Sequence, residues 1–162
     1  MAKHVLKVAD DYDFVLIGIS SHEKEYRICW ALNNKFNFEL TKIDSLEIKG
    51  KKQETPSFFS LFKYEDEEAF IEYFVIANLS ESKTTGVNNN TLFKGNTKEF
   101  QSSENEFLIP EYKNMNYFFV IKGEIGTEEI EETIKKIKEI DLVLTAVNMD
   151  VTQLRSKQNL IF

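Results

Sequence analysis

Apolar positions along this chain recur at two spacings, and these predict where strands and helices lie. A nearly continuous apolar run at 14–19 predicts a strand that is covered on both faces. Residues 22–34 carry apolar side chains at helical spacing, and the Ser-Ser-His-Glu sequence at 20–23 is typical of a capped helix start. Asn33 and Asn34 predict the end of this helix.

The middle of the chain predicts three more strands. The first covers 37–43 and either continues through residues 46–48 or gives way to a loop there. Residues 58–64 alternate between two faces, and residues 69–78 are rich in aromatic and β-branched side chains. The acidic residues 65–68 join these last two runs, and such a short polar connection predicts a hairpin.

Residues 80–106 are the least patterned part of the chain and are rich in Ser, Thr, Asn and Gly. A structureless loop of this length is uncommon inside a compact domain. We therefore expect either a long polar excursion from the fold or a loop held down by Leu92 and Phe93 as a short edge strand.

A strand, a helix and another strand are predicted in the last third of the chain. The strand covers 117–121, and Thr127 suits the N-cap of a helix at 128–139. Glu–Lys pairs spaced four residues apart in the favourable order support this helix. A further apolar run predicts a strand at 142–147, and the apolar chain end at 160–162 predicts a tail that docks on the body.

The predicted element order is β-α-β-β-β-β-α-β within one α+β domain that spans residues 1–162. We expect a largely antiparallel sheet with two main helices packed on one face. The nearest familiar plan is a ferredoxin-like or ACT-like core with an inserted hairpin, a comparison that rests on the order of the elements.

Charge and hydropathy restrict the class of partner. The 162 residues include 27 acidic and 20 basic side chains, which gives a net charge of −7. Phosphate backbones repel such a chain, so nucleic acid is not the expected partner. The first residues lack the apolar stretch of a signal peptide, and no window reaches the ~18 apolar residues of a membrane span. We expect a cytoplasmic protein that does not engage a membrane.

Few residues are suited to chemistry. Two histidines and one cysteine are too few for a Cys/His zinc site within one chain. His22 and Cys29 share the first predicted helix but lie about 10 Å apart along its axis, which exceeds the reach that a nucleophile and its base need. Cys29 is expected to be a buried structural thiol, and the acidic residues 65–68 a solvated turn. The sequence predicts no catalytic residue, no metal ligand and no cofactor.

Residues 108–117, called the Pro110 segment below, read Leu-Ile-Pro-Glu-Tyr-Lys-Asn-Met-Asn-Tyr. Pro110 suits the first position of a short helical turn, and Glu111 suits its positive end. One interpretation is architectural: the turn ends the polar loop and sets the register of the next strand. The other is that Glu111, Asn116 and Tyr117 line a shared pocket or partner face. The candidate interaction residues are Ile109, Pro110, Glu111, Asn116 and Tyr117.

The Pro110 segment resembles the signature of the IPExxVDY proteins, an uncharacterised bacterial family. The Ile-Pro-Glu at 109–111 and the ending at Tyr117 carry this resemblance. Similar proteins share an early aromatic helix, a Ser-Leu-Phe-x-Tyr strand like residues 60–64 and a chain end like residues 157–162. The resemblance implies no known activity, cofactor or substrate.

This chain departs from the family's pattern at the end of the segment. Met115 and Asn116 stand where the family name has Val and Asp, and three residues rather than two separate Glu111 from Met115. An amide cannot act as a carboxylate base or a strong metal ligand. The substitution therefore favours a hydrogen-bonding or turn role for this position.

Three hypotheses for function follow. The leading one is a non-enzymatic protein-interaction module, because a catalytic constellation is missing and loops on a rigid scaffold often carry recognition. The second is an ACT-like domain that binds a small regulatory ligand. The third is a carboxylate-based enzyme with Glu111 as its acid or base. A homodimer is compatible with each of them.

Overall fold

The computed structural model describes residues 13–50, 55–81 and 105–162. The first twelve residues, part of the basic run at 49–52 and most of the polar stretch at 80–106, including Leu92 and Phe93, lie outside the described residues. The predictions made for those positions therefore stay predictions.

The described residues form an α+β fold, as predicted, with a six-stranded antiparallel sheet and two helices. The strands are β1 (Phe14–Ser20), β2 (Thr41–Lys42), β3 (Leu46–Ile48), β4 (Ser57–Phe59), β5 (Leu61–Asp66), β6 (Ile71–Ala77), β7 (Tyr117–Lys122) and β8 (Thr145–Met149), and the helices are α1 (Glu25–Phe36) and α2 (Thr127–Lys138). The main sheet has the order β2-β5-β6-β7-β1-β8, and β3 pairs with β4 in a separate two-stranded sheet.

The pairing of the central strands explains the likeness to a ferredoxin-like plan. Strands β1 and β6 both run antiparallel to β7, which lies between them. They are therefore parallel to each other and are joined through α1, which is a split β-α-β arrangement. The segment inserted between α1 and β6 holds four strands, β2 to β5, and is larger than the single hairpin predicted.

The first helix begins and ends later than predicted. It spans Glu25–Phe36 instead of 22–34, and its N-cap is Lys24, without a side-chain hydrogen bond. The predicted capping residues instead form a turn before the helix, in which the Glu23 N–H donates to Ser21 Oγ at 3.1 Å. Asn37, with a φ of 57°, ends the helix in the left-handed conformation that asparagine tolerates. Asn33 lies inside the helix, and its side chain binds the main chain of Leu40.

Several strand boundaries also differ from those predicted. Only two residues of the strand predicted at 37–43 pair, as β2, and the run at 58–64 is divided at Ser60 between two sheets. The strand predicted at 142–147 begins at Thr145, because the Val143 N–H closes a turn onto the Ile140 carbonyl. Helix α2 has Gly126 rather than Thr127 as its N-cap, and the Gly126 N–H donates to the Glu129 carboxylate at 2.9 Å.

Both faces of the sheet are buried, and different parts of the chain cover them. On one face the two helices pack on the sheet through residues such as Ile28, Leu32 and Ile137, so both lie on the same face, as predicted. On the other face, called the tail face below, the Pro110 segment and the end of the chain supply the cover. The predicted docking of the chain end is confirmed for Leu160, which is fully buried there, whereas Ile161 and Phe162 remain 49% and 36% exposed.

Candidate functional site

The Pro110 segment forms a single turn that closes against the sheet. A 3-10 turn spans Pro110–Tyr112, with the Tyr112 N–H donating to the Ile109 carbonyl at 3.0 Å. Pro110 begins this turn, as predicted, where its missing N–H costs no hydrogen bond. Leu108 and Ile109 are fully buried on the tail face, so these two apolar side chains anchor the segment.

Asn78, which directly follows β6, binds the Pro110 segment with its whole side chain. Its Oδ1 accepts from the Ile109 N–H at 2.9 Å, and its Nδ2 donates to the Tyr112 and Met115 carbonyls at 3.0 and 2.8 Å. The main chain of Asn78 adds two more bonds, to Leu108 and Asn116. Because Asn78 is only 1% exposed, these contacts replace water for every polar atom of its side chain. This network fixes the shape of the segment.

Glu111 is held by the end of the chain rather than by a pocket. Its two carboxylate oxygens accept from the N–H and the hydroxyl of Ser156 at 2.8 and 3.0 Å. Partial burial alone would raise the pKa of Glu111, but the hydrogen bonds from Ser156 and the neighbouring main chain outweigh it and lower the pKa. A carboxylate stabilised in its charged form is a weak base, which is against the hypothesis of an enzyme centred on Glu111.

Asn116 and Tyr117 join the start of β7 to the turn between β1 and α1. Asn116 Oδ1 accepts from the Ser21 N–H at 2.8 Å and lies 3.4 Å from the Ser20 hydroxyl. The Tyr117 hydroxyl donates to the Glu23 carbonyl at 2.5 Å. Burial, with a smaller contribution from the charge of Glu25, raises the pKa of Tyr117 to about 12. Tyr117 therefore stays protonated and acts as a hydrogen-bond donor.

A cleft of ≈ 680 Å³ opens beside Asn116 and Tyr117. Its walls are the turn leading into α1, the chain just after β6, and the end of the Pro110 segment. Glu111 is not among its lining residues. The three residues that the sequence suggested as a shared pocket are thus divided: two line the cleft, and Glu111 contacts the chain end instead. Ile109 is buried, and Pro110 is exposed at the start of its turn.

Two carboxylates meet at one hydroxyl in this cleft. The Ser60 hydroxyl lies 3.2 Å from a Glu25 oxygen and 2.9 Å from a Glu81 oxygen, and Ser60 itself is buried. A hydroxyl has one proton to donate, so it can serve only one of the two carboxylates at a time. Glu81 has further donors: the Ser45 hydroxyl foremost, then Ser60 and the Lys42 ammonium, lower its pKa.

Glu25 is the less satisfied of the two carboxylates. Within the part of the chain that the structure describes, no Lys or Arg nitrogen lies within 4 Å of it. Sequence reasoning did not select Glu25, Ser60 or Glu81. These residues lie far apart along the chain, and only the pairing of β5 with β6 and the position of α1 bring them together.

The other sequence candidates have structural roles. Cys29 is buried, and this burial, together with the charge of Glu25, raises the pKa of its thiol to about 12, so it is not a ready nucleophile. The acidic run predicted as a turn is divided: Glu65 and Asp66 end β5, and the turn to β6 covers residues 67–70. Asp66 accepts there from the Glu68 and Ala69 N–H groups. Across the three described ranges, no group of three or more His, Cys, Asp or Glu side chains is placed to hold a metal ion.

Comparison with known proteins adds no assignment. No family model, no curated protein and no solved structure matches this chain. None of the helices in the described ranges is long and apolar enough to cross a membrane.

Proposed function

We propose that this protein is a non-enzymatic interaction module whose cleft beside Asn116 and Tyr117 receives a segment of a partner protein. The observation that carries the proposal is the pair of carboxylates at Ser60, of which Glu25 lacks a positive partner among the described residues. The single Ser60 hydroxyl proton cannot serve Glu25 and Glu81 at the same time. A Lys or Arg side chain of the partner would supply the missing donor.

The surroundings of Glu25 suit a peptide segment. Leu79, which is 43% exposed, and the half-buried Phe107 give the same cleft an apolar part. A basic residue next to an apolar residue in the partner would match this arrangement, with the charge giving specificity and the apolar contact giving affinity.

The proposal is tested by gentle affinity purification of the tagged full-length protein from its own cells, with mass spectrometry of what is retained. We expect a stoichiometric protein partner whose retention falls about tenfold or more in Glu25→Gln, since the desolvated charge pair is lost. Glu67→Gln is the matched control, because it removes the same charge from the turn at the opposite end of β6.

Equal retention by Glu25→Gln, Glu67→Gln and the unaltered protein would show that the cleft does not hold the partner. A clean protein without any partner would contradict the interaction module itself. Nuclease-sensitive RNA in place of protein would overturn both the proposal and the charge argument behind it.

The second candidate function is a small-ligand-binding regulatory domain, and the volume of the cleft favours it. At ≈ 680 Å³ the cleft is within the range of about 300–1,000 Å³ that is usual for ligand pockets. Thermal-shift measurements with a panel of amino acids and nucleotides test it. A rise in melting temperature that disappears in Glu25→Gln would support this candidate, and a flat response across the panel would count against it.

A further inference from the structure

The two edges of the main sheet are very different. One edge is β2, which has two residues, one of them the charged Lys42. The other edge is β8, which within the described ranges pairs only with β1 along its five residues. No charged residue occurs from Leu142 to Met149, although the chain as a whole has a net charge of −7.

An open edge of this kind is suited to strand pairing. Edge strands present unpaired N–H and C=O groups, and proteins usually protect them with charge, proline or very short length. Strand β8 has none of these protections. The apolar side chains of Leu144, just before the strand, and Val147, within it, are 60% and 37% exposed. The edge therefore offers main-chain hydrogen bonds together with apolar contact.

Helix α2 indicates which strand would pair there. It packs against β8 on the helix face of the sheet. Its acidic residues precede its basic ones: the first group is Glu128, Glu129, Glu131 and Glu132, and the second is Lys135, Lys136 and Lys138. A helix with this order of charges is complementary to a copy of itself that runs in the opposite direction.

We propose that two copies of this chain pair antiparallel along β8, about a two-fold axis perpendicular to the sheet. Such an axis continues the six strands of one copy into those of the other and keeps the helices of both copies on the same face. It also sets the two α2 helices side by side in opposite directions, with the acidic half of each facing the basic half of the other.

A second copy fits this edge better than a foreign strand does. The uncharged strand lets two acidic chains approach without repulsion at the point of contact, and the charges of α2 then favour the antiparallel order. The parallel arrangement would set Glu against Glu and Lys against Lys. The pairing uses no residue of the carboxylate pair at Ser60, so it stands or falls independently of the proposed function.

The test is sedimentation velocity of the full-length protein over a range of concentrations. The chain mass is 18.9 kDa, and we expect a species of twice that mass. The variant Val147→Lys places like charges across the two-fold axis, and it should raise the dimer dissociation constant at least tenfold. Because Val147 is already partly exposed, the fold should survive, with unchanged circular dichroism.

Two further variants make the result specific. Ile43→Lys introduces the same charge at an exposed apolar residue beside the other edge, and it should leave the dimer intact. The double variant Lys135→Glu and Lys138→Glu reverses the charge of two of the three lysines in α2 and should weaken the dimer. A monomer at every concentration, a dimer that Val147→Lys does not weaken, or an open-ended series of larger species would overturn the proposal.

Discussion

The junction around Asn78 and the cleft beside it are neighbours built partly from the same segment, yet they differ in how their polar groups are satisfied. At the junction, Asn78 is buried and each polar atom of its side chain has a main-chain partner. In the cleft, Glu25 and Glu81 share a single hydroxyl, and Glu25 lacks a cation among the described residues. The first arrangement is complete, whereas the second has capacity for a further donor.

Under the proposed function, this difference separates a structural part of the motif from a part that binds a partner. A polar network whose members are all satisfied gives a unique local structure and has nothing left to offer a ligand. A partly satisfied group at the surface can gain a partner on binding. Leu108 to Tyr112 therefore belong to the first class. Lys113, Met115, Asn116 and Tyr117 line the cleft and form the boundary between the two.

The largest expected effect is on the junction side. Asn78→Ala leaves the Ile109 N–H and the Met115 carbonyl without partners in a buried place, and it removes one of the two donors to the Tyr112 carbonyl. We therefore expect the free energy of unfolding to fall by roughly 3 kcal/mol. Urea unfolding measures this. Asn114→Ala, an exposed asparagine of the same segment, should change stability by less than about 0.5 kcal/mol. Equal losses of unfolding free energy in the two variants would show that the buried contacts of Asn78 stabilise the fold no more than an exposed asparagine does.

Removing the Tyr117 hydroxyl should have a smaller effect on stability. Tyr117→Phe removes the hydrogen bond to the Glu23 carbonyl and should cost about 1 kcal/mol at neutral pH. Because burial raises the pKa of Tyr117 from 10.0 to about 12, the folded state binds this proton more tightly than the unfolded state does. The protonated tyrosine thus stabilises the fold below pH 10, and this contribution is lost as the pH rises towards 12.

The pH dependence can be measured by urea unfolding at a series of alkaline pH values. The phenylalanine variant should lose less stability than the unaltered protein between pH 10 and 12. Cys29, whose pKa is also raised to about 12, supplies part of the alkaline loss in both proteins. Identical slopes for the two proteins would mean that the Tyr117 proton is not held by the fold.

Glu111 should contribute in the opposite pH direction. Its pKa is lowered from 4.5, so its stabilising effect is present above that value and is lost as the pH falls through the lower folded-state value. Since Glu111 is exposed, we expect Glu111→Gln to cost less than about 1 kcal/mol at neutral pH. Acid unfolding should be less steep in this variant than in Glu67→Gln, and the reverse order would contradict the assigned contact with Ser156.

The smallest effect is expected for Asn116→Asp. Its Oδ1 only accepts hydrogen bonds, from Ser21 and Ser20, and a carboxylate oxygen can accept the same two. Asn116→Asp should therefore change the free energy of unfolding by less than about 0.5 kcal/mol, whereas Asn116→Ala should cost about 1 kcal/mol. A large loss of stability in the aspartate variant would show that the amide nitrogen of Asn116 also makes a stabilising contact.

The pattern of apolar residues was sufficient to predict most of the fold. The run at 14–19, the acidic hairpin turn and helix α2 depend on local periodicity and turn chemistry, which a sequence displays directly. The capping of α1 was wrong because Ser21 makes contacts with the turn at Leu142 and with Glu23, and a long-range contact of this kind has no local signal.

The cleft could not be predicted in the same way. Asn116 and Tyr117 were selected from the Pro110 segment, but the carboxylate pair is assembled by strand pairing between positions that are distant along the chain. Asn78 was missed for a similar reason, since nothing beside it in the sequence marks an asparagine that binds residues thirty or more positions away. The only feature of the sequence that singles out Asn78 is its place as an amide directly after a strongly apolar strand.

Amide hydrogen exchange at Ile109 tests most directly whether the Pro110 segment is architecture. The Ile109 N–H is buried and donates to Asn78 Oδ1 at 2.9 Å. We predict that it exchanges only through global unfolding, with the same free energy as amides in the centre of β7. Exchange through a low-energy local opening would show that the segment moves independently of the sheet, and it would contradict the division between a completed junction and an open cleft.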